Sequence, residues 1–575
     1  MTPRQIVEQV VNVAETKELW SAGYRKALPV TPQNFTMGGV LPIVLYIMRW
    51  GYRRGSGKFI ETYRIEKGKK PTIANVATKL AQDTSHFEGF EGETEQAILG
   101  DMLLAFNLEN RNHLPGRQEQ VQRVYPTHYY SSWIDLPETS ANLRNVPELI
   151  ATLLTKTPFT SRGHYEPGVG FQNNLLLKVF GAGMSVKDNS FGSKVSDDFD
   201  EELQDIDQLL TIRLAKALSE PPLKLKGENS EIPSLFPVAQ SAAKHFYEDF
   251  NLFLRAYGIS IPRPSLIPML ESCLGVGTSN IFFSTLKLLL QWGDKHTIDG
   301  ATEDPWGLFV DCSSSVELNL RRYSEDCMDD LARRLARLPV VMMCLQIMDT
   351  RAERRKLKDL PPLDTNPIPR INYLGSLILG SDRDAARIED TLLEICSELA
   401  TAIKEYSLSI ANALDANLPH PAWRLAEAIV ELMGDKMQFG QFRKFLDSCL
   451  MTNETNGLCR KRRVRLQRKL VDRRSILLSN PALDFLAHRH LVSGSKNLSS
   501  KSLSLAEFLD ILRKRYGYYI DVAPPGFDIP AEMLLKNRSY FEQRLRDLGL
   551  LAGVNDAETM KRLKPRYEVK DAAAH

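Results

Sequence analysis

The sequence predicts a mainly α-helical protein with small β elements, organised in more than one domain. Two observations carry that prediction. Apolar residues recur at spacings of three and four in many segments, as in Leu320, Tyr323, Cys327, Leu331, Leu335 and Leu338. That is the period of a helix with one buried face. Strand signals are confined to short stretches: 59–65 alternates like a half-buried strand, and 518–522 reads as a short one. A chain of 575 residues, 43% hydrophobic and 25% charged, has material for roughly two to four domains with sizeable cores.

The first domain is expected over residues 1–190. Thr2-Pro3 is a helix-start signal, and Ile6, Val10 and Val13 follow at helical spacing. The apolar run Val40–Met48 contains Pro42 and is too short to span a bilayer. Glu8, Glu15 and Glu18 precede it, which does not suit a signal peptide. A cytoplasmic protein with no membrane partner is therefore expected. Gly55-Ser-Gly57 reads as a turn and 59–65 as a strand, followed by helices over about 71–82 and 93–109. The aromatic stretch 124–134 reads as core, with base stacking as the alternative. Glycines from 163 to 192 mark a boundary.

The second domain is expected over 195–455, with a short α/β-like insert near 305–380. A helix presents Leu203, Ile206, Leu210, Leu214 and Ala217 on one face, with seven carboxylates between Asp197 and Asp207 on its solvated side. Trp306–Ser315 reads as a short apolar strand ending at Asp311, then a helix whose opposite face carries Asp329/Arg333 and Asp330/Arg334 pairs. Pro339 ends that helix, Val340–Met348 is a buried strand or helix, and 371–379 completes a second αβ-like passage. Ser381 and Asp384 cap a helix with Ile388, Leu392, Ile395, Leu399, Ile403 and Tyr406 inward. Helices over about 421–434 and 438–450 close the domain.

Several function classes lack support. The seven cysteines are odd in number and widely spaced, so they read as reduced thiols and not as a disulfide framework or zinc site. Neither GxxxxGK[ST] nor GxGxxG occurs, which argues against an ATPase or a dinucleotide enzyme. His488 and His490, two apart, do not share a helix face. No cofactor is implied, and no catalytic residues are assigned. Ala572-Ala-Ala-His575 reads as an added tail outside the fold.

Asp311-Cys-Ser-Ser-Ser315 fits the D-x-S-x-S pattern and resembles the metal-ion-dependent adhesion motif of von Willebrand A domains. There, Asp311, Ser313 and Ser315 would ligate Mg²⁺. The same residues make a good turn and helix cap, which is the reading preferred here.

The third domain, 456–575, carries the strongest charge signal. Between Arg460 and Arg474 stand nine cations (Arg460, Lys461, Arg462, Arg463, Arg465, Arg468, Lys469, Arg473, Arg474) against one acid, Asp472. The whole chain totals only +2. Arg462, Leu466 and Leu470 are spaced for a helix with one docked face and one positive face. Such a face suits a nucleic-acid backbone, or equally an acidic segment of the same protein.

From Ser504 a capping box opens a helix with Leu505, Phe508, Leu509, Leu512 and Tyr516 on one face. Tyr518–Val522 follows as a short strand, then a short helix from Pro530 to Leu535, a break at Lys536-Asn537 and a second helix to Gly549. The stretches 550–556 and 560–567 form a basic wing. Over residues 504–568 this order resembles a winged helix-turn-helix. The resemblance implies groove contacts from Arg538, Gln543, Arg544 and Arg546, and phosphate contacts from Lys561, Arg562, Lys564 and Arg566.

Three stretches, Gly307–Asp349, Arg515–Gly526 and Arg546–Glu558, are together similar to large accessory proteins of bacterial anti-phage systems linked to DNA methylation or phosphorothioation. The resemblance implies a non-enzymatic subunit beside a separate ATPase or nuclease. With the basic run and the winged-helix-like C-terminus, the expected function is duplex-DNA binding within a multi-subunit defence complex. The alternatives are a protein–protein adaptor for such a partner and a metal-dependent enzyme centred on Asp311.

Overall fold

The helix Arg263–Lys295 is the axis of the molecule, and its sequence gives little sign of it. It is apolar on nearly every side, so no single face stands out. By length and composition it could cross a membrane, but 89% of its most apolar stretch is buried inside the fold. The helices Gln240–Tyr257, Leu338–Arg354, Phe439–Cys449 and Asn480–His490 pack around it. The computed structural model describes residues 2–574, apart from 84–86, 111–119, 136–142, 157–165, 169–172, 182–203, 219, 228–229, 300–303, 364, 381, 467–468, 495–496 and 553–560.

At the start of the chain, Thr2 and Gln5 form a capping box on the helix Pro3–Val11. Asn12 then takes a positive φ of 71° and turns the chain, which leaves Val13 exposed and off the expected face. Helices Ile73–Ala81 and Glu93–Phe106 lie where the spacing placed them. Residues Phe59–Tyr63, expected as part of a strand, form a helical turn. Phe59 and Tyr63, four apart, both point into the core, and over so few residues the two periods coincide. The aromatic stretch is core: Tyr130 and Trp133 are buried edge to face with ring centres 5.2 Å apart.

The helix Ile206–Lys216 buries Leu210 and Leu214, while Ile206 faces solvent. Most of the acidic run from Asp197, with Leu203, lies outside the described residues, as does most of the glycine-rich boundary. The α/β-like insert is mostly helix. Val340–Met348 lies within Leu338–Arg354, and Ile371–Leu379 within Ile368–Leu379. The helix Arg383–Ile403 is capped by Asp382, whose carboxylate accepts from the amides of Asp384 and Ala385. Ser381 lies outside the described residues. Tyr406 falls beyond the helix end and is exposed. Helices Pro421–Met433 and Phe439–Cys449 match the expectation from sequence.

The largest correction concerns the basic run, which is a β-hairpin and not a helix. Cys459–Leu466 pairs antiparallel with Lys469–Ile476, with Val464 opposite Val471. The helical spacing of Arg462, Leu466 and Leu470 is coincidental. The governing period is two, with Arg460, Arg462 and Val464 on one face and Cys459, Lys461 and Arg463 on the other. The second correction concerns the C-terminus, where Ala531–Asp547 is one continuous helix with no break at Lys536-Asn537. Asn537, a weak helix former, is buried, and its amide group bonds across the fold. It donates to the carbonyls of Val310 and Ile520 and accepts from the amide of Cys312, all at 2.9 Å.

The expected boundary near 456 is crossed by main-chain bonds. Leu308–Phe309 pairs in parallel with Tyr518–Tyr519, and Val310 bridges to Ile476. On another side, buried Asp249 takes Arg489 at 2.7 Å, Arg515 at 2.8 Å and the Tyr516 hydroxyl at 2.8 Å. Ala572, expected outside the fold, is buried in it, and its amide donates to the carbonyl of Arg255. All seven cysteines are unpaired and buried.

Candidate nucleic-acid interface

The hairpin does not present all its charge to solvent, because the helix Leu318–Leu335 lies beneath it. Glu325, 1% exposed, accepts from Nε and Nη2 along one guanidinium edge of Arg462 and from one nitrogen of Arg473 at 3.3 Å. Arg473 also reaches Asp326 at 3.2 Å and Asp329 at 2.7 Å. On the other hairpin face, Asp447 holds Arg474 in a two-point bond of 2.6 and 2.8 Å, with Lys461 at 3.7 Å. Fixed two-point guanidinium–carboxylate bonds are the strong kind. Thus Lys461, Arg462, Arg473 and Arg474 hold the hairpin down. Asp329, expected as a partner of Arg333, serves Arg473 instead, and Asp330 takes both Arg333 and Arg334.

The outward charge that remains is smaller and better defined. Arg460 and Arg465 are exposed. The Arg463 side chain is 68% exposed and bonded at 3.1 Å to Asp472, whose carboxyl that bond holds below its usual range. Arg468 lies outside the described residues, and of Lys469 only the backbone is described.

The C-terminal candidates divide in the same way. On the helix Ala531–Asp547, Ser539, Gln543 and Arg546 form an outward strip. Arg544 turns inward to the carbonyls of Leu477 and Leu478 and to Asn480, which removes it from any groove contact. Glu542 lies within 3.4 Å of Arg538 and 2.8 Å of Lys561, and both of those cations are mostly buried. Arg566 pairs with Asp484, and its amide donates to His488. Arg562 and Lys564 face solvent. Leu551–Ala552 pairs with Arg562–Leu563, which pairs in turn with Leu503–Ser504. The wing tip, 553–560, lies outside the described residues.

The other candidates form structural contacts. Asp311 is fully buried; its carboxylate accepts from the amide and hydroxyl of Ser313 at 3.0 and 2.6 Å, and from the amide of Ser315 at 3.0 Å. The Ser313 hydroxyl accepts from the amide of Glu317, so these residues close a turn, but no side chain caps the helix Leu318–Leu335 that follows. Replacing Asp311 with Ala is expected to cost about 2 kcal/mol of stability, because it strands buried donors. Chemical denaturation checks this. Among the described residues, no group of three or more His, Cys, Asp or Glu side chains gathers as a metal site. His488 bonds to the carbonyl of Asp484, and His490 to the Tyr516 hydroxyl at 2.8 Å.

The acids under the hairpin are the functional neighbours that reading the sequence alone does not find. Glu325, Asp326 and Asp329 share one helix face, a signal readable at i, i+1 and i+4 once the basic run is taken as their partner. A family model described as methylation-associated defense system protein MAD7 matches residues 26–567. No curated protein and no solved structure matches.

Proposed function

This chain belongs to the methylation-associated defense system protein MAD7 family, and on that premise we propose that it is a non-catalytic DNA-binding subunit. It grips duplex DNA and links it to other components of the defence system. Phosphate contacts come from Arg460, Arg463 and Arg465 on the hairpin and from Arg562 and Lys564 on the wing. Base-edge contacts come from Gln543 and Arg546.

The observation that carries this reading is the outward strip Ser539, Gln543 and Arg546 on a helix that leads into a strand pair bearing Arg562, with Lys564 just beyond it. In chain order, helix 480–490, strand 503–504, helices 505–516 and 531–547 and the pair 551–552/562–563 support a winged-helix-like unit. Its first helix would then be Asn480–His490. In such units the last helix enters the major groove and the hairpin touches the backbone.

A selection experiment on randomised duplexes, read by sequencing, tests the assignment of base contacts. Gln543→Ala with Arg546→Ala is expected to relax discrimination by about 1–3 kcal/mol per contacted pair while leaving the salt dependence nearly unchanged. Unaltered discrimination removes these residues from the interface. One observation favours a protein adaptor as a second reading: Leu470, opposite Arg465 in the hairpin, is 67% exposed. A partner ATPase or nuclease could bury it.

A further inference from the structure

Two of the stretches that carry the family resemblance, those beginning at Gly307 and Arg515, meet in space. The strand Leu308–Phe309 pairs with Tyr518–Tyr519, and the amide of Leu308 donates to the carbonyl of Gly517 at 2.8 Å. Gly517 takes a φ of 74°, and a Cβ there would fall 2.1 Å from the carbonyl oxygen of Trp306. A Cβ on Gly307 would lie 3.1 Å from the Tyr519 ring and 3.2 Å from Pro525. With both side chains absent, the Pro524-Pro-Gly526 turn closes against the strand pair. Beside it opens a cleft of about 740 Å³.

The chemistry of the cleft is mixed. Trp306, Tyr519 and Phe527 present half-buried rings to it, and Lys287, Arg513 and Lys514 bring cations. Arg513 and Lys514 share one carboxylate, Asp510, at 2.8 Å each. Arg334 lies 5.8 Å from the centre of the Trp306 ring and shares Asp330 with Arg333. Asp510 and Asp330 each serve two cations, and Asp304 also lines the cleft. The four lining cations still outnumber the lining acids Asp304 and Asp330. An acidic peptide would leave the rings unused, and an apolar ligand would leave the cations unused. A ligand with a flat π face and an attached anion uses both.

We propose that this cleft binds a nucleotide, its base stacked on the aromatic side chains and its phosphate held by Arg513 and Lys514. The ligand is either a free nucleoside monophosphate or a nucleotide within single-stranded DNA; the recognition chemistry is the same. The site stands apart from the duplex-binding surface, since neither the exposed hairpin arginines nor Gln543 lines it. A chain that fails to shift duplex DNA can still bind here.

Titration calorimetry on the full chain tests the proposal with two probes, deoxyadenosine monophosphate and a single-stranded oligodeoxyadenylate of about ten nucleotides. Trp306→Ala is expected to weaken binding about tenfold or more, while Trp306→Phe, which keeps a stacking face, retains most of it. Lys514→Glu supplies a variant that does not threaten the fold, because the side chain is 73% exposed; it is expected to weaken binding about tenfold as well. Binding of both probes with this dependence supports a site open to free nucleotide. Binding of the oligonucleotide alone supports a strand-borne one. If neither probe binds, or if both Trp306→Ala and Lys514→Glu bind like the parent chain, the proposal is overturned.

Discussion

Replacing Glu325 with Ala is expected to destabilise the protein by about 3 kcal/mol and to loosen the basic hairpin first. Glu325 is buried, and it is the shared anion of Arg462 and Arg473. Its removal strips an anion from Arg462, Arg473 and also Arg321, 3.9 Å away, and of these Arg473 keeps Asp326 and Asp329. Unpairing a buried charge costs more than the pair itself contributes, because the remaining group has been stripped of water. Arg462 and Arg473 are partly solvated, at 37% and 21% side-chain exposure, which holds the expected loss at the lower end of that range. Hydrogen exchange should accelerate over Cys459–Ile476 before the core helices respond. Glu325→Gln, which keeps an oxygen acceptor, is expected to fall between the two. Unchanged stability and exchange in Glu325→Ala would mean that the hairpin is held by its backbone contacts alone.

Reversing Arg460, Arg463 and Arg465 together to Glu is expected to have the opposite profile, with little loss of stability and a large loss of duplex affinity. These side chains face solvent, and among the described residues their one ion pair is that of Arg463 with Asp472, at the surface. Exposed pairs contribute about 0–1 kcal/mol. Each phosphate that is no longer neutralised lowers the slope of log affinity against log salt by about 0.9, so three lower it by about 2 to 3. At moderate salt the affinity should drop by about ten- to a hundredfold, or roughly 1.4–2.8 kcal/mol. Fluorescence anisotropy with several unrelated duplexes reads this, and all of them should weaken alike, because phosphate contacts carry no sequence information. The same reversal at Arg462 and Arg473 would unseat the hairpin, so those two positions cannot report on DNA.

Much of the helical architecture was legible in the sequence, because long amphipathic segments repeat their apolar residues over several turns. Leu320 to Leu335 and Ile388 to Ile403 are of that kind, whereas Leu338, expected on the first, opens the next helix. The exceptions have physical causes. Arg263–Lys295 is buried on all sides and so lacks the contrast that periodicity detects. Phe59–Tyr63 is too short for alternation to be separated from a helical turn. The basic run misled because Arg and Lys suit helix and strand alike on a solvated face. Val464 facing Val471 was the sign of a hairpin.

At the candidate interface, the sequence marked where cations cluster but could not show which of them are already neutralised. That depends on Glu325, Asp447 and Asp484, which lie far along the chain from the hairpin and wing arginines they hold. It depends also on Glu542, whose partners Arg538 and Arg546 lie four residues away and Lys561 in the wing. Arg544 shows the same limit in reverse. It falls one residue from an outward position yet binds the carbonyls of Leu477 and Leu478.

Duplex binding by the full chain, measured beside the Arg460/Arg463/Arg465→Glu variant from about 50 to 300 mM salt, tests the central claim most directly. The predicted result is a linear fall of log affinity with log salt for the parent chain, and a weaker, shallower line for the variant. Parallel lines of equal affinity, or no duplex binding by the parent chain even at the lowest salt, would contradict the account and give the hairpin to a protein partner.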